Sequence, residues 1–515
     1  MSHKRSGVKF GKLVDSSASV STKRKAVPGS SSHHHRPGLD WLGPVEETNQ
    51  VTTPANDGLL VGPADGYRVG DMLRPHVLTR VLNFSRFRCA GLRSADMTGF
   101  GGHSVRNYGE SALEMTGKGL RMIHFGGETL GGDLIESYRE VNANTGQGGE
   151  GERFESLSVI SDEDQLREYV RRRTGQLDDF GYVLAPDGEF HGARTSFHGV
   201  GLAEPDKLSD NRKERLLEVM SRADFVGIRD DAGCEYLEAN GIRVHRMPCP
   251  LTALPQVCAR QLREHRDSDS LEEMRHRFPN GWIAVEIGQV KDEQFARLTQ
   301  ALRSIAEKED LGIVFFDATH CGENEPSSGI RKWVEVFPEW IAAGFPSANI
   351  WEVASMLLHA RLYCGTSLDC RIICMSAGVA RINIPVGEKA TRSYCELWEH
   401  DDVPIEFSPD DTLEEAINEA LQVDLSMLRK HAKGLHTAYF SALEVFSRET
   451  GIYPRLLPGE EKSEHQAASA VLHHLHDEWL SDEKSLKKFR RLNRKKKGMF
   501  SAFSAKVESR EKSAT

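Results

Sequence analysis

Short apolar runs that end in glycine or proline alternate with charged amphipathic stretches along most of this chain, and that alternation constrains its fold more than any other feature. The runs GLLVG (58–62), LRMIHF (120–125), FGYVLA (180–185), RTSFHGVG (194–201) and DFVGIR (224–229) have the length and composition of buried strands. Between them, DMLRPHVLTRVL (71–82), EDQLREYVRRR (163–173) and NRKERLLEVMSRA (211–223) carry helical patterning, with Pro75 expected in the first turn of its helix. Pro248, Pro250 and Pro255 then interrupt the chain, and the charged segment RQLREHRDSDSLEEMRHR (260–277) follows. The rhythm restarts with the strands WIAVEIG (282–288), GIVFFDA (312–318), RLYCG (361–365) and ARINIP (380–385). The helices DEQFARLTQALRSIAEKE (292–309), WEVASMLLHA (351–360), DCRIICMSAG (369–378), TLEEAINEALQ (412–422) and the long stretch 426–451 alternate with or follow them. A strand–helix alternation repeated in two halves predicts an α/β protein with two Rossmann-like domains, each a parallel sheet flanked by helices, facing a cleft.

Six segments follow from this reading. Residues 1–54 form a disordered N-terminal segment, 55–258 a first Rossmann-like domain, 259–280 a charged linker and 281–425 a second Rossmann-like domain. A C-terminal helix over 426–457 and a charged, partly basic tail over 458–515 complete the chain. With 39% hydrophobic and 28% charged residues in 515, the chain has the balance of a soluble globular protein. No apolar run approaches the roughly 18 residues of a membrane span, and MSHKRSGVKF lacks the apolar core of a secretory signal. Nine cysteines with no CxxC pair argue for a reducing compartment, so a cytoplasmic location is expected. The net charge is −10, with about +6 in residues 1–40 and about +4 in 458–515, so the body carries about −20. A body that acidic repels a phosphate backbone, which excludes nucleic acid as an expected partner. The basic, Phe-punctuated stretch 484–503 could rest on an anionic membrane surface, although a solvated tail explains it as well.

Several residue groups could carry chemistry. Asp71, after Gly70, stands at the mouth of a helix, where a carboxylate caps backbone N–H groups or faces substrate hydroxyls. Gly126 and Gly127 open a glycine-rich strand end (125–132) that lets backbone N–H groups approach an anion, or simply makes a tight turn. His198 ends another strand and is a candidate proton donor. Arg229 follows the strand DFVGI at the carboxyl edge of a sheet, where a guanidinium suits a phosphate or carboxylate, with Asp230 as the cap of the next helix. Gly365-Thr366-Ser367-Leu368-Asp369 forms a strand-to-helix turn whose N–H groups could hold a phosphate. Cys370 and Cys374 fall one turn apart on an apolar helix and read as core. Lys389 follows the last strand and could pair with a phosphate. His33, His34 and His35 read as a solvated tract, and no metal site or cofactor motif is expected.

Taken in order, four segments resemble the polysaccharide pyruvyl transferase family: GYRVGDMLRPHVLTRVL (66–82), MIHFGGETLGG (122–132), SRADFVGIRDDAGCEYLEANGI (221–242) and HARLYCGTSLDCRIICMSAGVARINIP (359–385). The resemblance spans roughly 55–425 and implies a GT-B-like pair of domains. It implies transfer of a pyruvyl group from phosphoenolpyruvate onto two sugar hydroxyls as a cyclic ketal, in the synthesis of exopolysaccharide or cell-surface glycan. The acceptor would be a saccharide or lipid-linked oligosaccharide, met in the cytoplasm or at the inner face of the membrane. By this resemblance Arg229 grips the donor, and Asp71 and Lys389 match family positions. Ser367-Leu368-Asp369 stands where the family usually has Arg-Leu-His or Ser-Leu-His, so Asp369 occupies the place of the family's candidate acid. Arg371, His198, His320 or Lys389 would then supply the missing charge. Two other readings share the fold: a GT-B glycosyltransferase using a nucleotide sugar, with Glu323 and Glu325 as candidate ribose ligands, and a non-catalytic glycan-binding relative.

Overall fold

The computed structural model describes residues 57–115, 119–143, 160, 162–288, 292–319, 328–385, 389–407 and 412–452. The first half contains β1 (Asp57–Val61), α1 (Val69–Val81), β2 (Arg86–Gly91), β3 (Ala95–Asp96), β4 (Ser104–Asn107), α2 (Tyr108–Glu114) and β5 (Leu120–His124). It continues with α3 (Leu134–Ala143), α4 (Glu163–Thr174), β6 (Arg194–Val200), α5 (Asp210–Ser221), β7 (Phe225–Ile228), α6 (Asp231–Ala239) and β8 (His245–Arg246). Three short helices, α7 (Leu254–Val257), α8 (Ala259–Arg266) and α9 (Asp269–Arg277), lead to the second half. There the elements are β9 (Trp282–Glu286), α10 (Asp292–Glu309), β10 (Gly312–Phe316), α11 (Ser328–Glu335), β11 (Ala342–Gly344) and α12 (Ile350–Leu358). β12 (Leu362–Gly365), α13 (Leu368–Ala377), β13 (Ala380–Asn383), α14 (Lys389–Trp398), α15 (Leu413–Gln422) and α16 (Leu425–Thr450) complete it.

The strands form two sheets, ordered β3-β4-β2-β1-β5-β6-β7-β8 and β11-β10-β9-β12-β13. Every pair is parallel except β3 with β4. In both sheets the first long strand is central and the chain winds outward from it in both directions, which is the doubly wound, Rossmann-like plan. The order reverses between β1 and β5 in one sheet and between β9 and β12 in the other. Ligands of such sheets bind beyond the carboxyl ends of the strands at those points.

Burial on both faces explains the unbroken apolar runs. In β9, Ile283 and Val285 pack with Ile313, Phe315 and Leu362 on one face. Trp282 and Ala284 point to the other, into a core shared with Val314 and Tyr363. That second core also takes in Leu60, Ile123 and Phe125 from the first sheet, so one continuous apolar cluster ties the halves together. The segment expected as a charged linker contributes to it: Leu262 of α8 and Leu271 and Met274 of α9 are buried there. Helix α16 spans both halves as well. Leu428 near its start packs with the second sheet, and Phe446 near its end stacks edge-to-face on Phe225 of the first. The FGYVLA run is not a strand; only Phe180 pairs, in one antiparallel bridge with Asp133.

Among the described residues, no helix is long and apolar enough to cross a membrane. The eight described cysteines are all buried and unpaired. The N-terminal segment with its histidines and the basic tail lie outside the described residues.

Candidate active site

The carboxyl edges of the two sheets enclose a cleft of about 760 Å³. Its charged lining is Arg68, Asp71, Glu128, Glu140, Glu204, Lys207, Arg229, Glu286 and Asp369. Both switch points open into it, through Pro63 and Gly127 on one side and Gly288 and Thr366 on the other.

Helix α1 carries the first group. It begins at Val69 with Arg68 as N-cap and no side-chain cap, so Asp71 does not cap the helix as expected. Pro75 is the seventh residue of the helix rather than part of its first turn; it lacks the N–H that would bond the Asp71 carbonyl. The Asp71 carboxylate instead accepts from the Nη1 of Arg74, one turn along. Arg74 is fully buried. Its Nη2 donates to Oδ1 of Asp369, across the cleft on the first turn of α13, and its Nε faces the Cys249 sulfur at 3.4 Å. One guanidinium thus clamps two carboxylates from opposite walls. The approach needs Gly70, where an added Cβ would stand 2.2 Å from Asp369 Oδ2. The two acids differ in their protons. Burial raises Asp71 to about 6, with Arg74 opposing and the Asp369 charge adding to the rise. Burial also works to raise Asp369, but Arg74 and Arg229 outweigh it and hold it below the usual carboxylate range. Asp71 is therefore the more readily protonated of the pair and Asp369 the anion.

Arg229 forms the second group. Its backbone N–H bonds the Val200 carbonyl at 2.9 Å, extending the β6–β7 ladder by one residue. Asp230 caps α6 as expected, accepting from Gly233 N–H at 2.8 Å and from Leu202 N–H at 2.8 Å. Arg229 is 2% exposed. Its Nη2 donates to Glu128 Oε1 at 3.1 Å, and its Nη1 lies 3.6 Å from Asp369 Oδ1. Its Nε and Nη1 have no hydrogen-bond acceptor among the described residues. Gly201 makes room for the pair, because a Cβ there would meet Glu128 Oε1 at 2.4 Å and Arg229 Nε at 2.9 Å. Gly127 lies beside Arg229 Nη2, while Gly126 lines no part of the cleft and turns the backbone at φ +134°.

The third group lies at the end of β9. Ser367 caps α13, its hydroxyl accepting from Cys370 N–H at 3.3 Å. The N–H groups expected to hold a phosphate are occupied. Glu286 Oε2 accepts from Thr366 N–H at 2.8 Å, Thr366 Oγ1 at 2.7 Å and Ser367 N–H at 3.1 Å. Gly288 N–H donates to its Oε1 at 2.8 Å.

Besides Gly126, three expected site residues do not line the cleft. His198 is fully buried; its Nε2 lies 3.0 Å from the Tyr439 hydroxyl of α16, and burial lowers it to about 3. A long helix packed on the strand end closes it off, so it neither lines the cleft nor is cationic at neutral pH. Arg371 is fully buried on the far side of α13. It pairs with Glu399 at 2.7 Å and with Asn383 and the carbonyls of Pro404 and Ile405, so it locks α13 to the segment after α14 instead of meeting a ligand. Lys389 is exposed at the start of α14 and does not line the cleft. Leu368 lines it beside Asp369. His320, Glu323 and Glu325 lie outside the described residues.

Arg74, Glu128, Arg68 and Glu286 were not singled out from the sequence. Arg74 had a signal in its i,i+3 spacing from Asp71, and Glu286 in being the one charge that ends an apolar strand. Arg68 faces Asp71 at 3.8 Å and pairs with Glu140.

This geometry defines a two-sheet α/β protein with an acidic pair and a buried arginine in its interdomain cleft. A model of the polysaccharide pyruvyl transferase family matches residues 108–387, more than half of the chain, and the chain belongs to that family. No curated protein sequence matches it. Among solved structures it is similar to the UDP-GlcNAc 2-epimerase of Methanocaldococcus jannaschii, at 11% identity over 76% of this chain and 99% of that one, with a TM-score of 0.40. It is also similar to the N-terminal domain of Candida albicans trehalose-6-phosphate phosphatase, at 10% identity over 76% and 96%, with a TM-score of 0.39. An α,α-trehalose-phosphate synthase of Burkholderia xenovorans matches at 11% identity over 50% and 68%, with a TM-score of 0.34.

Proposed function

We propose that the protein transfers a pyruvyl group from phosphoenolpyruvate to two hydroxyls of a saccharide, forming a cyclic ketal. One observation carries this reading within the family: Arg229 lines the cleft beside the Asp71–Asp369 pair, and two of its buried nitrogens, Nε and Nη1, have no hydrogen-bond acceptor among the described residues. A buried guanidinium with free donors suits the carboxylate or phosphate of the donor.

The chain's residues then act in sequence. Asp71, which keeps its proton up to about pH 6, gives it to the methylene carbon of the donor, and C2 becomes oxocarbenium-like. Asp369, held ionised by Arg74 and Arg229, faces that positive charge and stabilises it. The first sugar hydroxyl adds to C2, and Asp71, now a carboxylate, takes its proton. The second hydroxyl then replaces the phosphate, whose C–O bond breaks and which leaves with the second proton. In this reading Asp71 has the role of acid, and the Asp369 position, where the family usually has His, carries a fixed charge.

The product places the protein in the synthesis of a surface or secreted glycan, with the acceptor reached in the cytoplasm or at the inner membrane face. The test is incubation with phosphoenolpyruvate and a panel of saccharide acceptors, reading released phosphate and the ketal methyl signal by NMR. Phosphoenolpyruvate binding that is lost in R229A supports the reading. A folded protein that ignores phosphoenolpyruvate and binds a nucleotide sugar overturns it in favour of glycosyl transfer. Silence with every donor selects a glycan-binding relative.

A further inference from the structure

The turn between β12 and α13 has the parts of a phosphate cradle: two consecutive backbone N–H groups, a threonine hydroxyl and the positive end of a ten-residue helix. Yet the chain fills it with its own carboxylate. Glu286 is 1% exposed and receives four hydrogen bonds there. The arrangement is built around it on two sides. An added Cβ at Gly288 would meet Glu286 Oε1 at 2.4 Å, and one at Gly365 would meet the Glu286 Cβ at 2.6 Å. The position is the switch point of the second sheet, where an anionic ligand would otherwise sit. Across the cleft, Arg229 keeps its free donors.

We propose that Glu286 is a specificity-determining residue that occupies the second sheet's phosphate cradle, so that the cleft accepts one anionic group at Arg229 and rejects a diphosphate-bearing ligand. The inference rests on the cleft being the donor site, as in the reading above, but not on the identity of the donor. A diphosphate spanning the cleft has to displace a carboxylate that already holds these four donors. It also meets the buried Glu286 carboxyl, whose pKa burial raises, at close range.

The test uses the full chain and isothermal titration with inorganic pyrophosphate, with UDP in parallel, on the native protein, E286A and E286Q. The native protein is expected to bind neither at the cradle. E286A empties it and is expected to bind pyrophosphate about tenfold more tightly or better, the worth of one hydrogen bond to a charged group. E286Q keeps the shape but replaces one accepting oxygen with an amide NH2 and is expected to fall between the two. The gain is expected to persist in E286A/R229Q, which places it at the turn and not at Arg229. If folded E286A binds pyrophosphate no better than the native chain, the inference fails. If E286A does not fold, E286Q decides, and a flat response overturns the idea. Phosphoenolpyruvate is titrated alongside: binding without any gain in the Glu286 variants removes only this inference, whereas a gain without phosphoenolpyruvate binding removes only the transfer reading.

Discussion

Replacing Arg74 with Met tests the logic of the site most directly. Arg74 is fully buried and, among the described residues, is the only group bonded to both acids; Asp71 is 4% exposed. Met fills the space but leaves two carboxylates facing each other without their shared cation. Breaking a buried pair by removing one partner costs about 3–5 kcal/mol. At about 2.1 cal/mol/K per residue and about 360 described residues, the unfolding entropy is about 0.75 kcal/mol/K, so the melting temperature is expected to fall by about 4–7 °C. The loss depends on pH with a definite sign. Asp71 has a raised pKa of about 6, so its contribution to stability is intact in acid and lost as pH rises through that value. Removing the guanidinium raises both acids further and deepens the loss on the alkaline side. The R74M deficit is therefore expected to be largest near about pH 7.5 and smaller by about 1–2 kcal/mol near about pH 5, roughly the worth of one unit of pKa. Adding D369N to R74M is expected to recover part of the deficit in a double-mutant cycle. Scanning calorimetry at the two pH values is the assay. A loss under about 1 kcal/mol, the scale of a surface pair, or one equal at both pH values would refute the view that Arg74 neutralises the buried Asp71 and the half-buried Asp369.

Four further outcomes follow from the same geometry. G70A is expected to push Asp369 off Arg74 and cost about 1–3 kcal/mol, because the new Cβ would stand 2.2 Å from the carboxylate; a thermal melt unchanged from the native chain counts against the close approach. R229K keeps the charge but loses the planar fork, and calorimetry with phosphoenolpyruvate is expected to show affinity about 10–100-fold weaker, the worth of one hydrogen bond to a charged group. With Asp71 near 6 and required protonated, kcat/KM for ketal formation is expected to level off below about pH 6 and to fall above it; a rate that rises through that range excludes Asp71 as the acid. D369N removes the like charge that raises Asp71, so the falling limb is expected to move to lower pH, and a limb that stays put shows that the two carboxylates do not interact.

The fold was legible because the central strands of both sheets are parallel and buried on both faces, which leaves continuous apolar runs such as WIAVE and GIVFF in the sequence. The FGYVLA run misled for a related reason: Phe180 and Val183 are fully buried, and burial without sheet pairing leaves the same apolar signature as a strand. Asp71, Arg229, Gly127, Ser367, Leu368 and Asp369 were visible at element ends and do line the cleft. His198 and Arg371 were visible in the same way and do not line it. What separates the two sets is long-range packing: α16 returns from residue 425 to cover His198, and Glu399 draws Arg371 away from the cleft.

Local sequence, then, determined the strand–helix order, the helix caps at Asp230 and Ser367, and which residue types stand at the strand ends, because these depend on neighbours a few positions apart. Tertiary structure alone decided which charge meets which. Arg74 and Asp369 are 295 residues apart, Arg229 and Glu128 are 101 apart, and Glu286 reaches the 366–367 turn 80 residues further on. No periodicity encodes such pairings; they arise when two sheets close on a shared core and leave Arg74, Arg229 and Glu286 buried, with only protein groups to pair with.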